Sequence, residues 1–207
     1  MSNFWLHPAL ILLGGAALLP LVPRRFKLPY LILVPVLLFA RTLLLGKGVF
    51  GEVSFLQWTL TFGRVDSLSL VFGYIMAIAC LIGTLYGAHV KRDAEHIAAW
   101  TYAAGSLGAI YAGDLLTLFL FWEVMAFSSV FLIWFRNTPK AQNAGYRYLL
   151  VHVTGGVALL AGIMLQVHAS GSWAFNLFDV QHPTLATWLM LSGVLLNAAV
   201  PPLHAWL

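Results

Sequence analysis

Seven stretches of this chain run for 16 to 24 residues with at most one Asp, Glu, Lys or Arg apiece: Phe4 to Val22, Leu28 to Leu45, Ser67 to Val90, Ile97 to Ala112, Leu115 to Phe135, Tyr148 to Val167, and Leu185 to Val200. About 20 apolar residues cross a bilayer as a helix, and only helices and closed barrels satisfy their backbone polar groups in hydrocarbon. None of the runs alternates apolar with polar residues at a period of two, which removes the barrel. The expected fold is therefore all-α, a polytopic transmembrane helix bundle of about seven spans, with the two 16-residue runs, the fourth and the seventh, its shortest members. Composition supports this: 61% of the residues are hydrophobic and 9% are charged, against about 25% charged in a soluble domain. A mean hydropathy of +0.88 excludes a disordered chain, a coiled coil and a nucleic-acid-binding domain.

The few charges then set direction, because Lys and Arg accumulate in cytoplasmic loops. Arg24, Arg25 and Lys27 follow the first run, Lys91 and Arg92 the third, and Arg136, Lys140 and Arg147 the fifth, so eight of the eleven basic residues share one side. Arg41, Lys47 and Arg64 flank the loop after the second run. This predicts a multi-pass protein of the cell inner membrane with its N-terminus outside and its basic loops in the cytoplasm. No basic residue precedes the first apolar stretch, so that run is not read as a cleavable signal. Cys80 stands alone and allows no intrachain disulfide. The last run reaches Pro201-Pro202-Leu203-His204-Ala205-Trp206-Leu207 with no polar tail, and Leu207 reads as a cut in mid-element.

Polar groups at membrane depth are the informative positions, because a charged side chain at a helix centre costs about 2.5–3.5 kcal/mol on insertion scales. Glu123 lies eight residues into the fifth run, roughly 12 Å deep at about 1.5 Å per residue. Such a carboxyl must be protonated or paired with a cation, which makes it a proton-relay candidate. Ser128 and Ser129, one to two turns on, serve either hydrogen bonding or packing. His152 sits about one turn inside the cytoplasmic end of the sixth run, followed by Gly155 and Gly156. Imidazole titrates near neutral pH and suits proton exchange with bulk water, although a structural His is an equal reading. In the seventh run Pro201 and Pro202 would free the carbonyls of Asn197 and Ala198. A span broken there either builds a polar site or marks a helix ending at the surface.

Three segments together resemble a known family: Gly113-Asp114-Leu-Leu-Thr-Leu-Phe-Leu-Phe121-Trp122-Glu123-Val-Met-Ala-Phe-Ser128-Ser129, Ala144-Gly145-Tyr146-Arg147-Tyr148-Leu-Leu-Val-His152, and Pro202-Leu203-His204-Ala205-Trp206-Leu207. They are similar to the antiporter-like subunits: the proton-pumping membrane subunits of respiratory NADH:quinone oxidoreductase and their relatives in Mrp-type Na⁺/H⁺ antiporters and membrane-bound hydrogenases. Gly63-Arg64-Val65-Asp66-Ser67-Leu68-Ser69-Leu70 also resembles the start of the family's third span, and the Tyr-Leu-Leu-Val-His form is most similar to the Mrp D-type subunit. The resemblance covers roughly Gly63 to Leu207. It implies a parent of roughly fourteen spans holding two inverted five-helix repeats. Residues 1–96 would then hold spans one to three, and residues 97–207 an incomplete first repeat, with the last span broken at Pro201-Pro202.

The resemblance further implies a site of Glu123, His152, Asn197 and His204 on a proton path. The family's seventh-span Lys, the partner of the fifth-span Glu, falls on Asn197 here. Asn carries no charge, so three readings stay open: Glu123 works with another cation, the functional Lys pair lies outside these 207 residues, or the protein is a divergent member with impaired pumping. The implied function is a membrane subunit of a cation/proton antiporter or proton-translocating complex. Its implied partners are the lipid bilayer, other membrane subunits, and H⁺ with or without Na⁺. The alternatives are the membrane arm of a redox-driven oxidoreductase or hydrogenase, and a non-transporting assembly subunit or inactive fragment. A retinal protein would need a Schiff-base Lys in the seventh run, and that run has none. A haem protein would need two facing histidines at similar depth, and only His152 is plainly inside. No phosphate loop, metal-ligand spacing or hydrolytic triad stands out, so neither a cofactor nor a metal is expected, and nucleic acid is not a partner.

Overall fold

The computed structural model describes residues 5–56, 58–175 and 181–201. Each apolar run holds one helix: α1 (Pro8–Leu18), α2 (Lys27–Leu43), α3 (Ser67–Gly87), α4 (Asp93–Tyr111), α5 (Leu115–Trp134), α6 (Pro139–Ser170) and α7 (Leu185–Asn197). Four are long and apolar enough to cross a membrane: α2 with the turn before it, α3, α5 and α6. α1 and α7 are shorter apolar helices, and α4 opens on Asp93, Glu95 and His96. The protein is a mostly helical, multi-pass membrane protein.

Its outer face is apolar. Leu68, Val71, Phe72, Ile75, Ile78, Ile82 and Leu85 are exposed along α3 at the three- and four-residue spacing of one helical stripe, and a water-soluble bundle would turn that stripe inward. The buried side of the bundle is rich in small residues. A Cβ at Gly105 on α4 would stand 2.8 Å from the Met125 nitrogen on α5, and one at Gly193 on α7 would stand 2.6 Å from the Gly155 carbonyl on α6. Small side chains are what let helices approach closely where lipid offers no hydrophobic drive to association. α4 is the hub, packed against α1, α3 and α5, while α7 packs on α6.

α6 is longer than the sequence expects. It starts at Pro139 rather than Tyr148, because Thr138 caps it by accepting from the Ala141 N–H at 3.1 Å and Pro139 suits the first helical position. Gly171, at φ +67°, ends it in the left-handed conformation.

The all-α expectation meets one addition. Between α2 and α3 the chain forms an antiparallel hairpin, β1 (Gly48–Phe55) with β2 (Trp58–Val65), in a register from Gly48 opposite Val65 to Phe55 opposite Trp58. Trp58, Leu60 and Phe62 alternate with Thr59 and Thr61, a strand pattern in residue types that favour strands. The reading confined to long apolar runs passes over it.

Contacts between loops sort the helix ends into two sets. At one end Lys27 forms an ion pair with Asp93, and the Arg92 guanidinium donates to the Phe135 carbonyl at 3.0 Å. These bring together the three connections that, with the helix ends beside them, hold eight of the basic residues. At the opposite end the hairpin touches the α4–α5 connection through the Gly113 N–H and the Thr61 carbonyl at 2.9 Å, and the Leu115 N–H donates to the Trp173 carbonyl at 3.0 Å.

Candidate functional site

α5 begins where Asp114 accepts from the Thr117 N–H at 2.7 Å and the Thr117 hydroxyl at 2.9 Å. The same carboxylate accepts from the Thr61 N–H of β2 at 2.5 Å. Asp114 is buried, so it is an internal clasp between the hairpin and α5. The sequence signal was present in Asp114-Leu-Leu-Thr117, an N-cap residue followed by a polar N3 residue.

From that start, α5 carries Glu123 to the face opposite α6. A Cβ added at Gly156 would overlap the Glu123 carboxyl, so the acid reaches the α6 backbone at a position where no side chain blocks it. Glu123 Oε1 is buried and has no hydrogen-bond partner among the described residues. A buried carboxyl oxygen without a donor is costly, and it is the kind of group that a proton, an ion or water satisfies. Glu123 also lines a cleft of about 660 Å³ between α4 and α5, with Thr101, Leu120 and Phe127.

His152 lies four residues before Gly156, one turn or about 6 Å along α6. It is buried and lines a second cavity, of about 230 Å³, with Tyr102, Trp122, Met125, Tyr148 and Asn197. The His152 ring meets the Tyr148 ring edge-on, centroids 3.9 Å apart. Asn197 is the last residue of α7, where Ala198 and Ala199 close the helix by donating to the Val194 and Leu196 carbonyls at 2.9 and 3.2 Å. The negative pole of the α7 dipole therefore points at the cavity.

The structure thus brings His152 and Asn197 to one cavity and sets the Glu123 carboxyl one turn of α6 away. His204, the fourth residue on the expected path, and Pro202 lie outside the described residues, so only Pro201 of the expected break is placed, four residues beyond the end of α7. Ser128 bonds within α5 to the Val124 and Met125 carbonyls, whereas Ser129 reaches Tyr148 on α6 at 2.5 Å. Sequence reasoning missed Tyr102 and Tyr148 as residues lining the His152 cavity and Gly156 as the residue that the Glu123 carboxyl meets. The four-residue steps from Tyr148 to His152 to Gly156 mark one face of α6 and were the available signal.

Among the described residues two further histidines are buried, His7 and His96, which the sequence reading did not single out. His7 accepts from the Ala9 N–H at 3.0 Å and caps α1. A His96 ring nitrogen lies 3.0 Å from the Val90 carbonyl.

Residues 112–207 match the family described as NADH:quinone oxidoreductase/Mrp antiporter, transmembrane. Over 98% of its length the chain is 30% identical to a Na⁺/H⁺ antiporter subunit A1 of Staphylococcus haemolyticus, of which it covers 28%. It is 27% identical, again over 98% of its length, to the subunit A1 of Staphylococcus aureus, covering 29% of it. The fold matches a chain of the Mrp complex of Dietzia sp. with a TM-score of 0.79 at 22% identity, over 97% of this chain and 41% of that one. It also matches a chain of respiratory complex I from Thermus thermophilus with a TM-score of 0.77 at 24% identity, over 97% of this chain and 45% of that one. The chain spans less than a third of the curated relatives and less than half of the structural neighbours it matches. The family match over residues 112–207 and the relatives that align along nearly the whole chain make this chain similar to the antiporter-like subunits, and the structural neighbours share its fold.

Proposed function

We propose that the chain is a membrane subunit of a cation/proton antiporter or proton-translocating complex and that protons pass through a site around Glu123, His152 and Asn197, with His204 continuing the path. The observation that carries this reading is the Glu123 carboxyl, held in an apolar helix against Gly156 with one oxygen unpartnered among the described residues. An intramembrane acid in that position is functional by default. Asn197 supplies no positive charge, and the cavity it lines holds His152. We infer that His152 takes the place of the missing Lys: the imidazole exchanges a proton with Glu123 along the α5–α6 seam, and the α7 C-terminus stabilises the imidazolium. In this reading seven spans cross an inner membrane with the N-terminus outside, α7 breaks near Pro201-Pro202, and residues 97–207 form an incomplete first five-helix repeat, its spans four to seven. The partners are other membrane subunits. Na⁺ is the proposed counter-ion on the strength of the relatives' names, and the likeness to a complex I chain favours redox coupling as the second reading.

The test is Glu123→Gln in the complete complex, assayed by acidification of everted vesicles. The isosteric amide keeps the packing and removes the exchangeable proton, so transport falls to background while assembly is retained. Transport at the parent rate removes Glu123 from the mechanism.

A further inference from the structure

We propose that Tyr148, held by Ser129, is a positioning residue that closes the His152 cavity toward the basic end of the bundle and so controls when water from that side reaches the imidazole. The proposal rests on the proton path above but on different atoms.

α5 and α6 run antiparallel. The Glu123 carboxyl meets Gly156, and six residues further along α5, toward its basic end, Ser129 Oγ stands 2.5 Å from the Tyr148 hydroxyl on α6. Ser129 has a single hydroxyl proton and donates it to the Ala126 carbonyl at 2.7 Å. Tyr148 must therefore be the donor of the pair and Ser129 the acceptor. That bond draws the Tyr148 side chain across the seam between the two helices. Its ring lies edge-on against His152, one turn, or about 6 Å, nearer the basic end of α6. His152 consequently lines a cavity and is yet only 4% exposed. Tyr148 lines the same cavity, so it is both wall and door: water moving inward along the α5–α6 seam meets the phenol before it meets the imidazole. One neutral hydrogen bond between two helices is strong enough to hold a ring in place and weak enough to break on the timescale of transport.

The test is accessibility footprinting of His152 in the full complex in membrane vesicles. Diethyl pyrocarbonate is the probe, carbethoxylation of the His152 peptide is read by mass spectrometry, and exposed His89 is the internal reference. In the parent, His152 labels far more slowly than His89. Tyr148→Phe and Ser129→Ala each raise its labelling about five-fold, the factor one neutral hydrogen bond is worth. The double variant labels no faster than either single one, because both remove the same bond. Tyr102→Phe, on the α4 wall of the same cavity, leaves labelling unchanged. Unchanged labelling in both single variants overturns the proposal. So do effects that multiply in the double variant, or an equal rise in Tyr102→Phe, which would report a loosened cavity rather than an opened door. The outcome is separable from the function reading: labelling that follows the Ser129–Tyr148 bond supports the door even if Glu123→Gln transports normally, and transport lost in Glu123→Gln with unmoved labelling discards the door alone.

Discussion

At the scale of the residue, Glu123 and Gly156 form one unit. The carboxyl occupies the space a side chain at 156 would need, so Gly156→Ala pushes the acid off the α6 backbone or parts the helices. Overpacking of this kind costs about 1–3 kcal/mol, and transport in vesicles is expected to fall several-fold. Glu123→Asp, one methylene shorter, should restore part of it in the double variant, and a double variant slower than both singles would show that the two positions do not share this space. Asp66 is a second residue whose role is local. Its carboxylate accepts from the Ser69 N–H at 2.8 Å while the Ser69 hydroxyl accepts from the Asp66 N–H at 2.7 Å, a capping box at the start of α3. Hydrogen bonding from the Ser69 backbone holds the Asp66 carboxyl below its ordinary value. A group whose value is depressed on folding contributes stability above its unfolded value, about 3.9 for Asp, and loses it as pH falls through the folded value. Asp66→Ala should therefore cost about 1 kcal/mol near neutral pH, and the gap between parent and variant in thermal unfolding should close progressively as the pH falls below about 4.

At the scale of the element, the hairpin sets where α5 begins. Asp114 joins β2 to the first turn of α5 through the Thr61 N–H, the Thr117 N–H and the Thr117 hydroxyl, and Trp58 of β2 meets Trp173 beyond α6 edge-on at 6.2 Å. The axial position of Glu123 is thus tied to an element outside the helical spans. Asp114→Ala strands two backbone N–H groups in a buried place at about 1–3 kcal/mol each. It is expected to lower the unfolding temperature of the detergent-solubilised protein by several degrees, with Asp114→Asn in between because an amide oxygen still accepts. A variant as stable as the parent would show that the hairpin does not depend on this clasp. The helix runs were legible because 16 to 24 mostly apolar residues with at most one charge have few other folds open to them. The hairpin was legible only as alternation at Trp58, Leu60 and Phe62, and a search by apolar length discards alternation. The extra turns of α6 before Tyr148 are polar, so hydropathy was silent on them although the Thr138-Pro139 cap was present.

At the scale of the whole molecule, the Lys27–Asp93 pair and the Arg92–Phe135 bond gather the basic loops at one end, and the hairpin marks the other. Lys91→Cys and Lys47→Cys, made with Cys80→Ala, should be labelled by an impermeant maleimide from opposite faces of sealed vesicles, with Lys91→Cys on the cytoplasmic face. Labelling of both from one face would overturn the orientation. The sequence by itself determined the helical class, the grouping of basic loops and the identity of Glu123 as an acid at depth, because the cost of charge and unpaired backbone in lipid is paid residue by residue and can be read in one dimension. Only the tertiary structure decided what that acid faces. That Glu123 meets Gly156, that His152 and Asn197 share a cavity, that Tyr148 reaches Ser129 and that Asp114 reaches the hairpin all depend on the register of one element against another. Such a register comes from the close approach of small residues and from single hydrogen bonds between distant positions, neither of which leaves a periodic mark in the chain.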